Sequence, residues 1–123
     1  MATFKRFEDI NAWKKARKLT QLIYKLTSSV PFSDDNTLCW QIQKAAVSIM
    51  SNIAEGFARY GTREFIQFLF IAKGSCSEVK SQMYVALDNN YVSKDNFNKI
   101  YELAEETEKT IAGLVKYLKT KLD

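Results

Sequence analysis

The sequence predicts an all-α protein, an antiparallel up-down-up-down four-helix bundle. Apolar residues recur every three or four positions along four segments, which places them on one stripe of an α-helix in each segment. The breaks between the segments are short, and short connections favour antiparallel neighbours in a bundle. We therefore expect a single domain over residues 1–123, with helices over about 9–28, 35–60, 62–88 and 93–122.

The first two helices are predicted from their apolar stripes and from the breaks that bound them. Ser28, Ser29 and Pro31 end the first helix, because proline disfavours helical geometry in the residue before it. The polar run 34–37 supplies the N-cap of the second helix, and Gly61 follows its end. The two stripes consist of Ile10, Trp13, Ala16, Leu19, Ile23 and Leu26, and of Leu38, Ile42, Ala46, Ile49, Ile53 and Phe57.

The third and fourth helices follow the same pattern. Thr62 begins the third helix, and Asn89 and Asn90 form the turn that ends it. Ser93 caps the fourth helix, and three lysines near its carboxyl end complement the negative end of the helix dipole. The stripes consist of Phe65, Leu69, Ala72, Cys76, Val79, Met83 and Ala86, and of Phe97, Ile100, Ala104, Thr107, Ile111, Leu114, Leu118 and Leu122.

The composition excludes several classes of protein. The chain has no histidine and only two cysteines, Cys39 and Cys76, so it suggests neither a zinc cage, nor the usual di-iron site of a bundle, nor a disulfide framework. The longest uncharged apolar stretch, 45–54, has about half of the roughly 20 residues that a membrane-spanning helix needs. We expect a cytoplasmic protein with reduced thiols, with no metal or other cofactor and with no membrane contact.

No arrangement of catalytic residues is recognisable in the sequence. It contains no glycine-rich phosphate loop, no nucleophile paired with a histidine base, and no two acids at positions that indicate a cleft. We therefore expect no enzymatic activity and no small-molecule substrate.

The middle two helices carry more apolar surface than one bundle core needs. The second helix has no charge between Lys44 and Glu55, and residues 65–72 of the third are almost entirely apolar. Since no helix of a four-helix bundle is central, this surplus predicts a homo-oligomer. The alternative is that the flanking loops and the segment 4–7 cover it. The expected interface residues are Phe65, Ile66, Phe68, Phe70 and Ile71.

The stretch 41–57, with the run Ser-Asn-Ile-Ala-Glu-Gly at 51–56, resembles the four-helix bundle proteins of the 23S rRNA-intervening sequence type. Residues that match elsewhere are Phe7, Trp13, Ala16, Leu19, Tyr24, Phe65, Phe68, Leu69, Ala72, Gly74, Ser75 and Glu78. Met50 stands where the family usually has proline, which should only straighten the helix. The resemblance implies a ring, typically a homopentamer, without established enzymatic activity. A more distant similarity of fold links the family to nucleic-acid-binding accessory proteins of diversity-generating retroelements.

Six polar residues of the second and third helices share faces that a hairpin would bring close together. We interpret them as a structural network in which Glu55 pairs with Arg59 or Lys73, because a charge within a packed assembly must be paired. The alternative is a polar ligand site. The six residues are Asn52, Glu55, Arg59, Lys73, Ser75 and Glu78.

A basic face on the first helix is the best functional indication in the sequence. The first 25 residues hold seven of the 18 positive charges, and a ring would repeat this stripe in every copy. We predict a non-enzymatic oligomeric scaffold that binds RNA or DNA phosphates through this face. One alternative is an ordinary solvated helix face, and another is a protein-interaction module that binds no nucleic acid. The candidate residues are Lys14, Lys15, Arg17, Lys18 and Lys25.

Overall fold

Four helices and two short 3-10 turns make up the computed structural model, which describes residues 4–59 and 61–122. The 3-10 turns, Phe7–Asp9 and Phe32–Asp34, precede the first and the second helix. No strand occurs in the described residues. The helices are α1 (Asn11–Thr27), α2 (Asn36–Ala58), α3 (Thr62–Asp88) and α4 (Lys94–Lys119).

The helices form an up-down-up-down bundle, which confirms the predicted fold class. Each helix packs against the next one along the chain, and α4 also packs against α1. α1 and α4 are antiparallel. Lys15, near the start of α1, pairs with Glu106, whereas Lys25, near the end of α1, lines a pocket with Asn96 from the start of α4.

The core consists of the predicted apolar stripes. All seven residues of the α3 stripe are buried, from Phe65 to Ala86, and so are five of the six predicted on α2. Those that are only half-buried, such as Trp13, Phe57 and Leu118, lie toward helix ends and pack against the core from its edge. A 3.6-residue period turns a stripe of this kind toward one side of the helix, which is why spacing alone located these residues.

α3 has the predicted bounds, 62–88, and the ends of the other three helices differ from the predicted bounds by one to three residues. α1 begins at Asn11 because Phe7–Asp9 form a 3-10 turn and Ile10 has extended backbone. The last residue predicted for the second helix, position 60, lies outside the described residues, and α2 ends at Ala58. α4 begins after Ser93, whose hydroxyl accepts from the Asn96 amide at 3.1 Å.

Two glycines shape the hairpin between α2 and α3. Gly61 has a φ of 101°, a left-handed conformation that side chains disfavour, and it connects the helices in a short turn. Gly56 lies at a close contact between the helices, since a Cβ there would be 2.7 Å from the Cβ of Phe68. The missing side chain therefore lets the two backbones meet near this turn.

None of the described helices is both long and apolar enough to cross a membrane.

Candidate nucleic-acid interface

The amino-terminal half of α1 carries an open basic groove on its solvent side. Lys14, Arg17 and Lys18 line it together with Trp13, and its volume is about 550 Å³. The Arg17 guanidinium lies 5.9 Å from the centroid of the Trp13 ring, a cation–π arrangement that holds the charge at the surface. The groove thus brings three of the five predicted basic residues to one site.

The charges of the groove are not neutralised by the chain itself. No ion pair joins Lys14, Arg17 or Lys18 to a carboxylate within the described part of the chain. Glu8 also lines the groove, but Arg6 binds its carboxylate at 2.7 Å and lowers its pKa through this hydrogen bond. The site therefore keeps a positive surplus toward solvent.

The other two predicted basic residues lie elsewhere. Lys15 donates to Glu106 of α4 at 2.7 Å, and this hydrogen bond lowers the pKa of the Glu106 carboxyl. Lys25 lies near the opposite end of α1, where it lines a separate pocket with Lys99. Neither side chain belongs to the groove, and the sequence could not indicate this, because Glu106 is 91 positions away from Lys15.

The six predicted polar residues fall into separate groups. Ser75 donates to the hydroxyl of Ser48 at 2.9 Å, and the Asn52 amide donates to the same hydroxyl at 3.0 Å and to the Ser48 carbonyl at 2.8 Å. Ser48, which the sequence did not single out, therefore joins α2 to α3. Arg59, which directly follows α2, pairs at 2.7 Å with Glu55 in the last turns of that helix.

Lys73 and Glu78 take no part in these groups. Lys73 lines a groove between α3 and α4, while Glu78 is exposed, and no ion pair involves either of them within the described ranges. A pair absent from the prediction joins α3 to α4 instead, because Lys80 lies 2.8 Å from Glu108. The nearby Glu108 carboxylate raises the pKa of Lys80.

The residues expected at an oligomer interface do not share one surface. Phe65 and Ile66 face the core of the bundle and are only 9% and 7% exposed, so they have little surface left to contact a second copy. Phe68 is half-buried, with the Arg59 guanidinium 5.0 Å from its ring centroid. Only Phe70 and Ile71, which are 48% and 53% exposed, present large areas to solvent.

Neither of the two cysteines is activated as a nucleophile. Burial raises the pKa of the Cys76 thiol to about 12, and it also raises the pKa of Cys39. A thiol with a raised pKa is a poor nucleophile. The described residues contain no group of three or more side chains arranged to hold a metal ion.

Two comparisons with known proteins bear on the chain as a whole. A family model described as 23S rRNA-intervening sequence protein matches residues 8–113. The fold is also similar to a crystal structure from Bacteroides thetaiotaomicron, a protein of unknown function of the S23 ribosomal protein family. That protein is 21% identical with a TM-score of 0.77, and the match covers 85% of this chain and 98% of that one. No curated protein matches the sequence.

Proposed function

Because the chain belongs to the 23S rRNA-intervening sequence protein family, we propose that it is a non-enzymatic helical scaffold that associates with itself and binds RNA. The observation that carries the RNA part is the basic groove of α1. Lys14, Arg17 and Lys18 meet there beside an aromatic ring, without a carboxylate partner in the described residues. A phosphate backbone would supply the missing negative charge.

This binding would be electrostatic and largely independent of sequence. Lysine and arginine contacts to phosphates release condensed counterions, so the affinity falls steeply as salt rises. The groove is open and wide, and Gln21 is the one amide side chain among its lining residues. We therefore expect shape and charge, and not base identity, to determine what the groove binds.

Self-association is proposed through the outer stripe of α3, which we define as six exposed residues. They recur at alternating spacings of four and three, the pattern of a seam between packed helices. Two of the six are large and apolar, three are small or uncharged, and the sixth, Glu78, has no ion-pair partner among the described residues. A second copy of the chain would cover the apolar side chains and could supply a positive partner for Glu78. The stripe comprises Gln67, Ile71, Gly74, Glu78, Ser81 and Val85.

A charge-reversal experiment tests the RNA part of the proposal. In the triple variant Lys14→Glu, Arg17→Glu and Lys18→Glu, we expect the affinity for an RNA oligonucleotide to fall about tenfold or more, because phosphate contacts are lost and repulsion replaces them. Gel shifts at about 50 mM and 200 mM salt would measure it, since the wild type should lose affinity between these conditions.

The control variant has the same change of net charge at a different site on the surface. Lys94, Lys99 and Lys109 are exposed on α4, and replacing all three with glutamate changes the net charge equally outside the groove. An equal loss in this control, or a wild type that binds no RNA at the lower salt, would contradict RNA binding by the groove. Salt-insensitive binding to another protein, with no RNA shift, would favour the protein-interaction module.

A further inference from the structure

A second basic groove lies between α3 and α4, on a different side of the bundle from α1. Phe70 and Lys73 of α3 form one wall, and Lys116 and Lys119 of α4 form the other. Ala112 and Val115 also line it, which leaves the space between the lysines apolar, and its volume is about 240 Å³. We call this site the Phe70 groove.

Phe70 is an exposed aromatic residue that lies among three lysines. Its ring is 48% exposed, and the Lys119 ammonium lies 5.6 Å from the ring centroid. None of the three lysines of the groove forms an ion pair with an acidic side chain in residues 4–59 and 61–122. A flat apolar surface is thus surrounded by three positive charges that the protomer leaves without a partner.

This combination disfavours burial of Phe70 against a second copy of the chain. Covering the ring with an apolar surface would also desolvate the lysines around it, and unpaired buried charges cost several kcal/mol each. The outer stripe of α3, by contrast, contains no lysine. Phe70 therefore belongs to a binding groove, and Ile71 to the proposed contact between copies.

The size and the chemistry of the groove indicate which class of ligand it binds. Its volume lies below the roughly 300–1,000 Å³ of pockets that enclose a drug-sized ligand, so it suits one part of a larger molecule. An aromatic ring beside a cationic groove is the arrangement by which proteins hold single-stranded nucleic acid, with a base on the ring and phosphates on the cations. An acidic peptide would pair with the lysines, but its carboxylates would offer no flat face to Phe70.

We propose that the Phe70 groove binds one unpaired base of a nucleic acid strand, stacked on Phe70, with Lys73, Lys116 and Lys119 on the adjoining phosphates. This deepens the proposed function and rests on it, because it specifies single-stranded nucleic acid as the class that is bound. Bases inside a duplex are already stacked on each other and cannot enter the groove. Trp13 of the α1 groove is half-buried and already packs against Phe7 and Arg17, so that groove would contact backbone phosphates of either form, whereas the Phe70 groove would select the unpaired one.

The test compares single-stranded and duplex RNA of equal length by fluorescence anisotropy at one low salt concentration. In Phe70→Ala the affinity for the single strand should fall about 5-fold to 100-fold, the range that loss of one stacked base produces, while the affinity for the duplex stays within about twofold. Phe70→Leu keeps apolar bulk without a ring and should lose nearly as much. Replacing the three lysines with glutamine should reduce the salt dependence of single-strand binding.

Trp40→Ala is the matched control. Trp40 is 60% exposed with the Lys44 ammonium 4.7 Å from its ring centroid, so it is an exposed aromatic with a lysine but lies outside the groove. We expect this variant to bind the single strand as the wild type does. Thermal melting by circular dichroism would show that every variant is folded, including the glutamine variant, since Lys116 and Lys119 lie in the last turn of α4.

The outcomes separate this inference from the proposal on which it rests. Wild-type protein that binds neither RNA would overturn both. Wild-type protein that binds both RNAs, with no loss in Phe70→Ala or an equal loss in Trp40→Ala, would overturn the Phe70 groove and leave the α1 groove in place. Binding of polyglutamate that depends on Phe70 would show an acidic peptide site instead and would also overturn it.

Discussion

Gly56 lies at a close contact between α2 and α3. An added Cβ would lie 2.7 Å from the Cβ of Phe68 and 3.0 Å from a ring carbon of Phe65. The Phe68 Cβ is attached directly to the backbone of α3, so it cannot move aside without shifting the helix. The packing identifies Phe65 and Phe68 as the residues that this glycine meets.

Gly56→Ala should therefore destabilise the fold. Overpacking costs about 1–3 kcal/mol, and a Cβ–Cβ distance of 2.7 Å indicates a cost of about 2–3 kcal/mol here, of which a gain of about 1 kcal/mol in helix propensity offsets only part. We expect a net loss of about 1–2 kcal/mol in the free energy of unfolding, measured by urea denaturation.

Gly113→Ala is the control for this prediction. A Cβ at Gly113 meets nothing within 4 Å, so the same change in α4 should stabilise the protein by about 0.5–1 kcal/mol through propensity alone. If both variants shifted stability in the same direction, the close contact at Gly56 would not be the reason.

Single residues also show where sequence reasoning ends. Spacing predicted that Leu69, Cys76 and Met83 are buried, because burial in a bundle follows helical period. It could not predict which carboxylate Lys15 binds, nor that Lys73 faces α4 and not Glu55, since such pairs depend on how two helices rotate against each other. The Phe70 groove could not be predicted from the sequence for the same reason.

At the scale of the helices, Asp35 accepts two hydrogen bonds at the start of α2, one from its own helix and one from a residue beyond α3. One carboxylate oxygen accepts from the Leu38 amide at 3.0 Å, which caps the helix, and the other accepts from the Tyr91 hydroxyl at 3.0 Å. Tyr91 follows α3 and stacks on Phe32, with 5.1 Å between ring centroids. The sequence predicted a cap within 34–37, but not the tyrosine from beyond the third helix.

The hydrogen bond to Asp35 raises the pKa of Tyr91 above its ordinary value of 10.0. A group whose pKa is raised by folding stabilises the fold fully below its unfolded pKa and loses that effect as pH rises through the folded pKa. The melting temperature of the wild type should therefore exceed that of Tyr91→Phe at pH 8, and the difference should shrink as the pH rises above 10 and disappear once it exceeds the raised pKa.

Tyr24→Phe serves as the control, because Tyr24 is 47% exposed and its hydroxyl forms no hydrogen bond within the described residues. Its melting temperature should follow that of the wild type at every pH. A Tyr91→Phe difference that stayed constant from pH 8 to above 10 would contradict the role of the hydroxyl.

The connections between helices were predicted closely for a simple physical reason. Proline, glycine and paired asparagines disfavour or end helical geometry locally, so their positions could be recognised without the fold. Asn90, for instance, takes the left-handed conformation with a φ of 59°, and the Tyr91 amide then donates to the Ala86 carbonyl at 2.8 Å. The 3-10 turn at Phe7–Asp9 was missed because three residues show no period.

For the molecule as a whole, the fold class and the family are both confirmed, and each depends on features spread over nearly the entire chain. The run at 51–56 lies within the family match, so the resemblance and the match agree. Self-association and RNA binding remain proposals. Both concern molecules outside the protomer, whereas the periodicity of apolar residues predicts only which side of each helix faces the core of the bundle.

Ile71→Lys tests the proposed contact between copies. A lysine in the outer stripe of α3 would repel its own symmetry mate or be buried without a partner, so we expect the assembly to dissociate at micromolar concentration. Sedimentation velocity would measure this against the protomer mass of 14.2 kDa, and the ring implied by the family would have five times that mass.

Val30→Lys is the comparison for that variant. Val30 is 74% exposed in the connection before α2, so it offers apolar surface outside the stripe, and its replacement should leave the assembly unchanged. Wild-type protein that sediments as a single protomer at micromolar concentration would end the proposal of self-association.

The burial of Cys76 in the middle of α3 has a practical consequence. Its sulfur is reached only when the helices separate, and its pKa of about 12 keeps it protonated at neutral pH. The rate at which an alkylating reagent modifies it would therefore count openings of the core, in native buffer and without denaturant. Cys39, nearer the surface, would report on fraying at the start of α2, so two natural thiols would time local and global opening in one sample.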